Sequence, residues 1–367
     1  MRLHPDKLCA DPGSTIRGQS EVTKMHSDAW NMLFELESQD LVKKRFQRIH
    51  GRALNSRRAN EITSSSIQAR EFFYNARQAS YSVKPLLLFY GVASLSRALA
   101  LLLSESGEEA LKQGHGLETV QWRSLLGTNV AQGLSHIGQL RIKTCNGFFR
   151  DVLSSTENCT YLHIRSSAVG WSLRYDLPKE EIEITLLDIL ERLPDLEHEY
   201  TTWVDCSPLF FYIDEINMSQ EKNEISLRIT DRYSRNIHSI FPNWGIELID
   251  GTTAHMTAPI NLLENKPPIF INSYINRSFG TIPNFFLTPP FGDICLSQIA
   301  ISYALSFFTG MLCRYFPTHW VGLIRGAQGD AVWPTIHKSL LYIEVAFPEL
   351  VWEFIESWTK DSKQQSA

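Results

Sequence analysis

PLLLFYGVASLSRALALLL, residues 85–103, decides how the rest of the chain is read, because its apolar residues run nearly all round a helix instead of along one face. Pro85 suits the first turn of such a helix. The run is long enough to span a bilayer. Against that, Arg97 lies inside it, where a central position would cost roughly 2.5–3.5 kcal/mol, and Gly91, Ser94 and Ser96 dilute its apolar character. The reading is therefore a helix buried inside a globular core. Such a helix needs an equally apolar partner, and CLSQIAISYALSFFTGMLCRY, residues 295–315, supplies one, with Asp293 placed to cap it. The two rods are expected to pack on each other, since each leaves water only through the other.

Working outward, residues 1–20 mix Pro, Gly and polar residues without a period and read as a loose tail. Helical spacing begins near Glu21 with Met25, Ala29, Met32 and Leu33, and a second helix follows from Gln39 to Leu54. Ser64, Ser65 and Ser66 offer caps for a helix through Phe72, Phe73, Ala76 and Ala79. LRIKTCNGFF, residues 140–149, reads as a strand with an Asn146-Gly147 turn, and residues 184–193 as a short amphipathic helix. The middle is β-rich: PLFFYIDEI (208–216), NEISLRIT (223–230) and GIELID (245–250) carry β-branched and aromatic runs between polar turns. Two last helices are expected around Ser339–Ile343 and Leu350–Trp358, with the polar end KDSKQQSA fraying. The fold class is α+β: helical N-terminal and C-terminal segments packed together, with a small, mainly antiparallel sheet between them. The expected division is a tail (1–20), a helical region (21–155), a β-rich region (156–292) and a C-terminal helical region (293–360) that packs back on the first.

Composition narrows the class further. With 367 residues, 43% of them hydrophobic, the chain can bury a sizeable core, which excludes disorder throughout. Lys+Arg 35 against Asp+Glu 40 leaves a net charge of -5, so the chain as a whole does not coat nucleic acid. Its six cysteines form no C-x-x-C pair, which argues against structural zinc and a secreted disulfide framework. They read as reduced and mostly buried, in a cytoplasmic protein. Gly-rich phosphate loops, H-E-x-x-H and G-x-S-x-G are all missing from the sequence, so no cofactor and no metal is expected.

The charge is segregated. Residues 41–60, LVKKRFQRIHGRALNSRRAN, hold seven cations (Lys43, Lys44, Arg45, Arg48, Arg52, Arg57 and Arg58) and no acid, so the rest of the chain carries -12. On a helix, Val42, Phe46, Ile49 and Ala53 make one stripe and Arg45, Arg48 and Arg52 an adjacent one. That face could meet an anionic ligand, a nucleic acid or a protein partner, or pair with the chain's own acids. His115, between Gly114 and Gly116, is the sharpest single candidate: glycines let the backbone approach a partner closely, and an imidazole near neutral pKa can act as a general base or an anion contact. The competing reading makes Gly-His-Gly a tight connector with its imidazole on a nearby carbonyl. Arg314 and His319 form an Arg-x4-His pair similar to the signature of HEPN-type ribonucleases, which would cleave RNA without metal. Arg45/His50 and Arg232/His238 match comparable spacings, and Pro317 stands between the first pair. Asp250 with Glu264-x-Lys266 loosely fits a metal-dependent nuclease.

The block YNARQASYSVKPLLLFYGVASLSRALALLL, the GHGL at residues 114–117, LRIKTCNGFF and IAISYALSFFTGMLCRYFPTHW together resemble the YaaC-like bacterial protein family. The resemblance implies a fold and a cytoplasmic bacterial setting more than a chemistry. Two functions are carried forward. One is a binding or regulatory protein presenting the basic helix and the His115 loop to an anionic ligand, nucleic acid or protein partner, or to another copy of itself. The other is a phosphodiester-cleaving effector of stress or anti-phage defence using His115, Arg314 and His319.

Overall fold

The computed structural model describes residues 29–105, 111–162, 171–219, 221–259, 270–273, 285–292, 294–326 and 329–364, so the expected tail at 1–20 and the Asp293 cap lie outside the described residues. Helix α1 (Gln39–His50) starts on Ser38, whose hydroxyl accepts the Leu41 N–H, and stops at Gly51 in the left-handed conformation. Val42, Phe46 and Ile49 form its buried stripe. Ala53 does not continue the stripe, because Gly51 ends the helix two residues before it and leaves it exposed.

Helix α2 (Ser56–Gln78) is capped by Asn55, whose side chain accepts the Arg58 N–H at 2.8 Å. The expectation that Ser64–Ser66 start this helix is thereby corrected. These serines lie inside it, and the Ser66 hydroxyl turns back to the Ile62 carbonyl, as Thr63 does to Ala59. Helix α3 (Lys84–Leu103) is the first apolar rod. It packs most extensively on α2, and both Gly91 and Gly310 mark its close approaches. A methyl at Gly91 would stand 2.7 Å from Phe73 Cδ2, and one at Gly310 2.7 Å from Phe89 Cβ, so neither contact leaves room for a side chain. By length and composition α3 could cross a membrane, and among the described residues it is enclosed by other helices of the same chain.

Helix α4 (Phe148–Ser155) is short, and the second rod is α5 (Gln298–Tyr315), nearly every residue of which is buried. Its cap comes from far away in sequence: the Asn158 carboxamide accepts the Ser297 N–H at 2.9 Å, and the Thr160 hydroxyl accepts that of Gln298 at 3.3 Å. The predicted packing of α5 on α3 is observed. Helix α6 (Pro317–Ile324) turns away from α5 by 105° at Phe316. The two expected C-terminal helices are one, α7 (Trp333–Gln364), which runs through Pro348 and into the polar end. Pro348 costs one backbone hydrogen bond, but Ala346, Phe347, Leu350, Val351, Phe354 and Ile355 are all buried on either side of it, and that apolar surface holds the helix continuous.

Among the described residues the strands form three antiparallel sheets. β1 (Leu117–Val120), β2 (Arg141–Thr144) and β5 (Glu183–Thr185) make one, in the order β1-β2-β5. Ile184, assigned to a helix on sequence grounds, is in β5; the helix starts at Leu186, set by a reciprocal cap between Thr185 and Asp188. β3 (Cys159–Leu162) pairs with β4 (Trp171–Arg174). The largest sheet joins β6 (Phe211–Ser219), β7 (Glu224–Thr230), β8 (Gly245–Leu248), β9 (Thr253–Pro259), β10 (Phe270–Ser273) and β11 (Phe285–Thr288), in the order β10-β11-β6-β7-β9-β8. The fold is α+β, with helices at both ends of the sequence packed on one another.

Candidate functional site

The Gly114-His115-Gly116 loop is fixed by its main chain. Both glycines are left-handed, with φ of 77° and 75°, and a methyl on Gly116 would stand 2.5 Å from the Phe149 nitrogen, so this position tolerates only glycine. The carbonyls of Gly114 and His115 accept the N–H groups of Phe148 and Phe149 at 3.2 and 3.0 Å, which caps the start of α4. The Tyr303 hydroxyl also donates to the His115 carbonyl, at 3.4 Å.

The backbone thus does the structural work and leaves the imidazole free of it. The ring lies half-buried, edge-on to Phe89 at 5.1 Å and Phe307 at 5.9 Å, and neither ring nitrogen bonds a described protein group. The carbonyl partner expected under the connector reading is therefore not observed among the described residues. Burial, with the nearby Arg314 charge as a second cause, holds its pKa below the ordinary histidine value, so the ring is neutral at pH 7.

Arg314 is exposed on the last turn of α5, seven residues and so about 10 Å from Phe307 along the helix. Its Nη1 donates to the Tyr90 hydroxyl at 3.1 Å, and its guanidinium sits 5.1 Å from the Tyr315 ring centroid. Phe89 and Tyr90, adjacent on α3, link the two candidates, one touching His115 and the other Arg314.

His319 does not join them. It is buried at the start of α6, beyond the 105° bend, with Nε2 3.2 Å from the Leu126 carbonyl. A methyl on Gly133 would reach to 2.8 Å of that nitrogen, so no space for a substrate exists on that side. Nor does the basic segment converge with His115. It meets α3 near Leu102, thirteen residues and about 20 Å from Phe89.

There its cations serve the fold. Arg58 is buried, donating from Nε to the Leu101 carbonyl at 2.7 Å and from Nη2 to that of Ser104 at 2.6 Å, with its guanidinium over Phe46. His50 Nε2 lies 2.9 Å from the Leu102 carbonyl, and Arg52 bonds that of Glu105. Arg58 and His50 thus close C-terminal carbonyls of the core helix, and Arg58 and Arg52 bond those of the two residues that follow it. Arg45 pairs with Glu35 and lies over Trp352, while Lys43 bonds the Ser56 hydroxyl at 3.2 Å. Lys44, Arg48 and Arg57 are exposed.

Other groups fall into structural roles. Asp250 accepts the Thr252 and Thr253 N–H groups at 2.7 Å each, which depresses its pKa and makes it a turn residue; Glu264 and Lys266 lie outside the described residues. Burial raises the thiols of Cys295 and Cys313, to about 12 and about 11, which removes them as thiolate nucleophiles. No three His, Cys, Asp or Glu residues among those described could share a metal ion. Sequence reading missed a cleft of about 430 Å³ lined by Asp195, Glu197, Glu199, Tyr212, Phe286 and Lys338. There Glu197 accepts the hydroxyls of Tyr212 at 2.5 Å and Tyr233 at 2.9 Å. It also missed Tyr90 and Tyr315, which lie within the two apolar runs.

The imidazoles set a pH dependence. His50, His115 and His337 all have lowered pKa values, burial being the first cause in each. The unfolded chain therefore takes up protons near the ordinary value of about 6.5 that the fold refuses, so no penalty applies above that pH and destabilisation grows below it. Urea midpoints should fall between about pH 7.5 and 5.5, with a shallower fall in His337→Gln. An unchanged midpoint would contradict the burial of these rings.

Comparison with known proteins places the chain in a family. The family model described as YaaC-like Protein matches residues 34–355. No curated protein and no solved structure matches the chain.

Proposed function

We propose, for a chain that belongs to the YaaC-like family, a function as a cytoplasmic binding protein for a phosphate-bearing anion held between Arg314 and His115. Family membership brings no reaction with it, so the proposal rests on the site. The observation that carries it is a half-buried imidazole with no hydrogen bond to a described protein group, packed on Phe307 of the helix whose last turn carries the exposed Arg314 guanidinium. A neutral histidine donates one N–H and accepts at its other nitrogen, while Arg314, tied to Tyr90 by one nitrogen, keeps further donors for phosphate oxygens. The basic segment supports a secondary contact at most, since Arg58 and Arg52 are committed to the end of α3. The ribonuclease reading draws no support from the separate environments of Arg314 and His319.

Equilibrium binding of tripolyphosphate by calorimetry tests the proposal. Arg314→Ala should weaken it about tenfold or more, the worth of one charge-assisted contact, and Lys44→Ala should leave it unchanged. Equal affinity in Arg314→Ala and wild type would remove the site.

A further inference from the structure

We infer that the anion bound at Arg314 is attached to a nucleobase, the base stacking on Tyr315 and the phosphates running from Arg314 toward His115. This rests on the anion-binding reading above and adds the identity of what carries the charge. Tyr315 is 58% exposed at the end of an otherwise buried helix, a position where packing in the described core gives its ring little cover. The Arg314 guanidinium lies over its ring, 5.1 Å from the centroid, and donates to the Tyr90 hydroxyl, so the three form a series of adjoining flat groups. Phe72 extends the series inward, with its ring centroid 5.6 Å from that of Tyr90 at a 32° tilt.

A planar guanidinium lying over a largely exposed phenol still presents flat surface that an aromatic base can use, and a bare phosphate has no use for it. The hydroxyl of Tyr90 holds Arg314 from one side, so the guanidinium is positioned before ligand arrives instead of being ordered by it. The spacing fits as well. Tyr315 and Arg314 are adjacent, whereas Phe307, which touches His115, lies about 10 Å back along α5, so base and phosphate chain would lie in sequence along one helix face. A mononucleotide and a single-stranded nucleic acid share this chemistry.

The experiment compares four probes on the full chain: tripolyphosphate, a nucleoside, a nucleoside triphosphate, and a twelve-residue single-stranded oligoribonucleotide. In the wild type, the nucleoside triphosphate or the oligoribonucleotide should bind at least about tenfold more tightly than tripolyphosphate, the lower end of a stacking contribution. Tyr315→Ala should abolish that advantage while leaving tripolyphosphate affinity intact, and Tyr315→Phe should restore it, because the ring face is kept. Tyr74→Ala, an exposed tyrosine on α2, controls for general loss of aromatic surface. Preference for the oligoribonucleotide over the triphosphate would assign a strand, and the reverse a free nucleotide; both uphold the inference. Tripolyphosphate binding as tight as either nucleotide probe, unaltered by Tyr315→Ala, would overturn the base while sparing the anion site. Binding of no probe would overturn both.

Discussion

Glu344→Ala should destabilise the fold by about 3–5 kcal/mol, read as a lower urea midpoint by tryptophan fluorescence. Glu344 is buried on α7, where it accepts Arg77 Nε at 3.1 Å and lies 2.5 Å from Lys84 Nζ. Lys84 is itself buried, and it starts α3, where the helix dipole already disfavours a cation. Deleting the carboxylate would strand that ammonium, uncompensated, inside the protein. Tyr81, whose ring is 5.7 Å from Lys84 Nζ and whose hydroxyl is 2.5 Å from His337 Nε2, would lose its setting too. The double variant Lys84→Met/Glu344→Leu should recover most of the loss, because replacing both partners removes the desolvated charges together. A loss under about 1 kcal/mol in Glu344→Ala would mean that water reaches the pair.

What could be read from sequence was what depends on local pattern. Helices α3 and α5 were legible because no face of either carries enough polarity to meet water, and their mutual packing followed from that alone. His115 stood out because glycines on both sides announce an unusual backbone, and both are indeed left-handed. Illegible were the features settled by partners distant in sequence. Asn158 caps a helix that begins almost 140 residues later, and Pro348 persists in α7 because the core on both sides of it outweighs one missing bond. Tyr315 has the sequence context of a core residue and is exposed only because the rod ends beside it. Above all, charge is visible in a sequence while its counterpart is not. Seven cations in residues 41–60 look like a surface for an external anion, yet several find carbonyls or carboxylates of the same chain.

Arg58→Ala brings that distinction to a measurement, with an expected loss of about 3 kcal/mol of folding stability. It donates to the carbonyls of Leu101 and Ser104 where α3 ends, and loss of its partner costs a buried carbonyl about 1–3 kcal/mol. The guanidinium also covers the Phe46 ring at 5.2 Å, joining α1 to the same point. Arg58→Lys should recover little, since a single ammonium cannot span two carbonyls that a planar fork bridges. Lys44→Ala, at an exposed position of the same segment, should change stability by less than about 0.5 kcal/mol. The contrast separates the two meanings of the basic segment. If its charge existed for an external polyanion, Arg58→Ala and Lys44→Ala would both weaken nucleic-acid binding and leave the urea midpoint in place. If it closes the core helix, Arg58→Ala lowers the midpoint, and tripolyphosphate affinity at Arg314, about 20 Å away along α3, stays at the wild-type value in the folded protein.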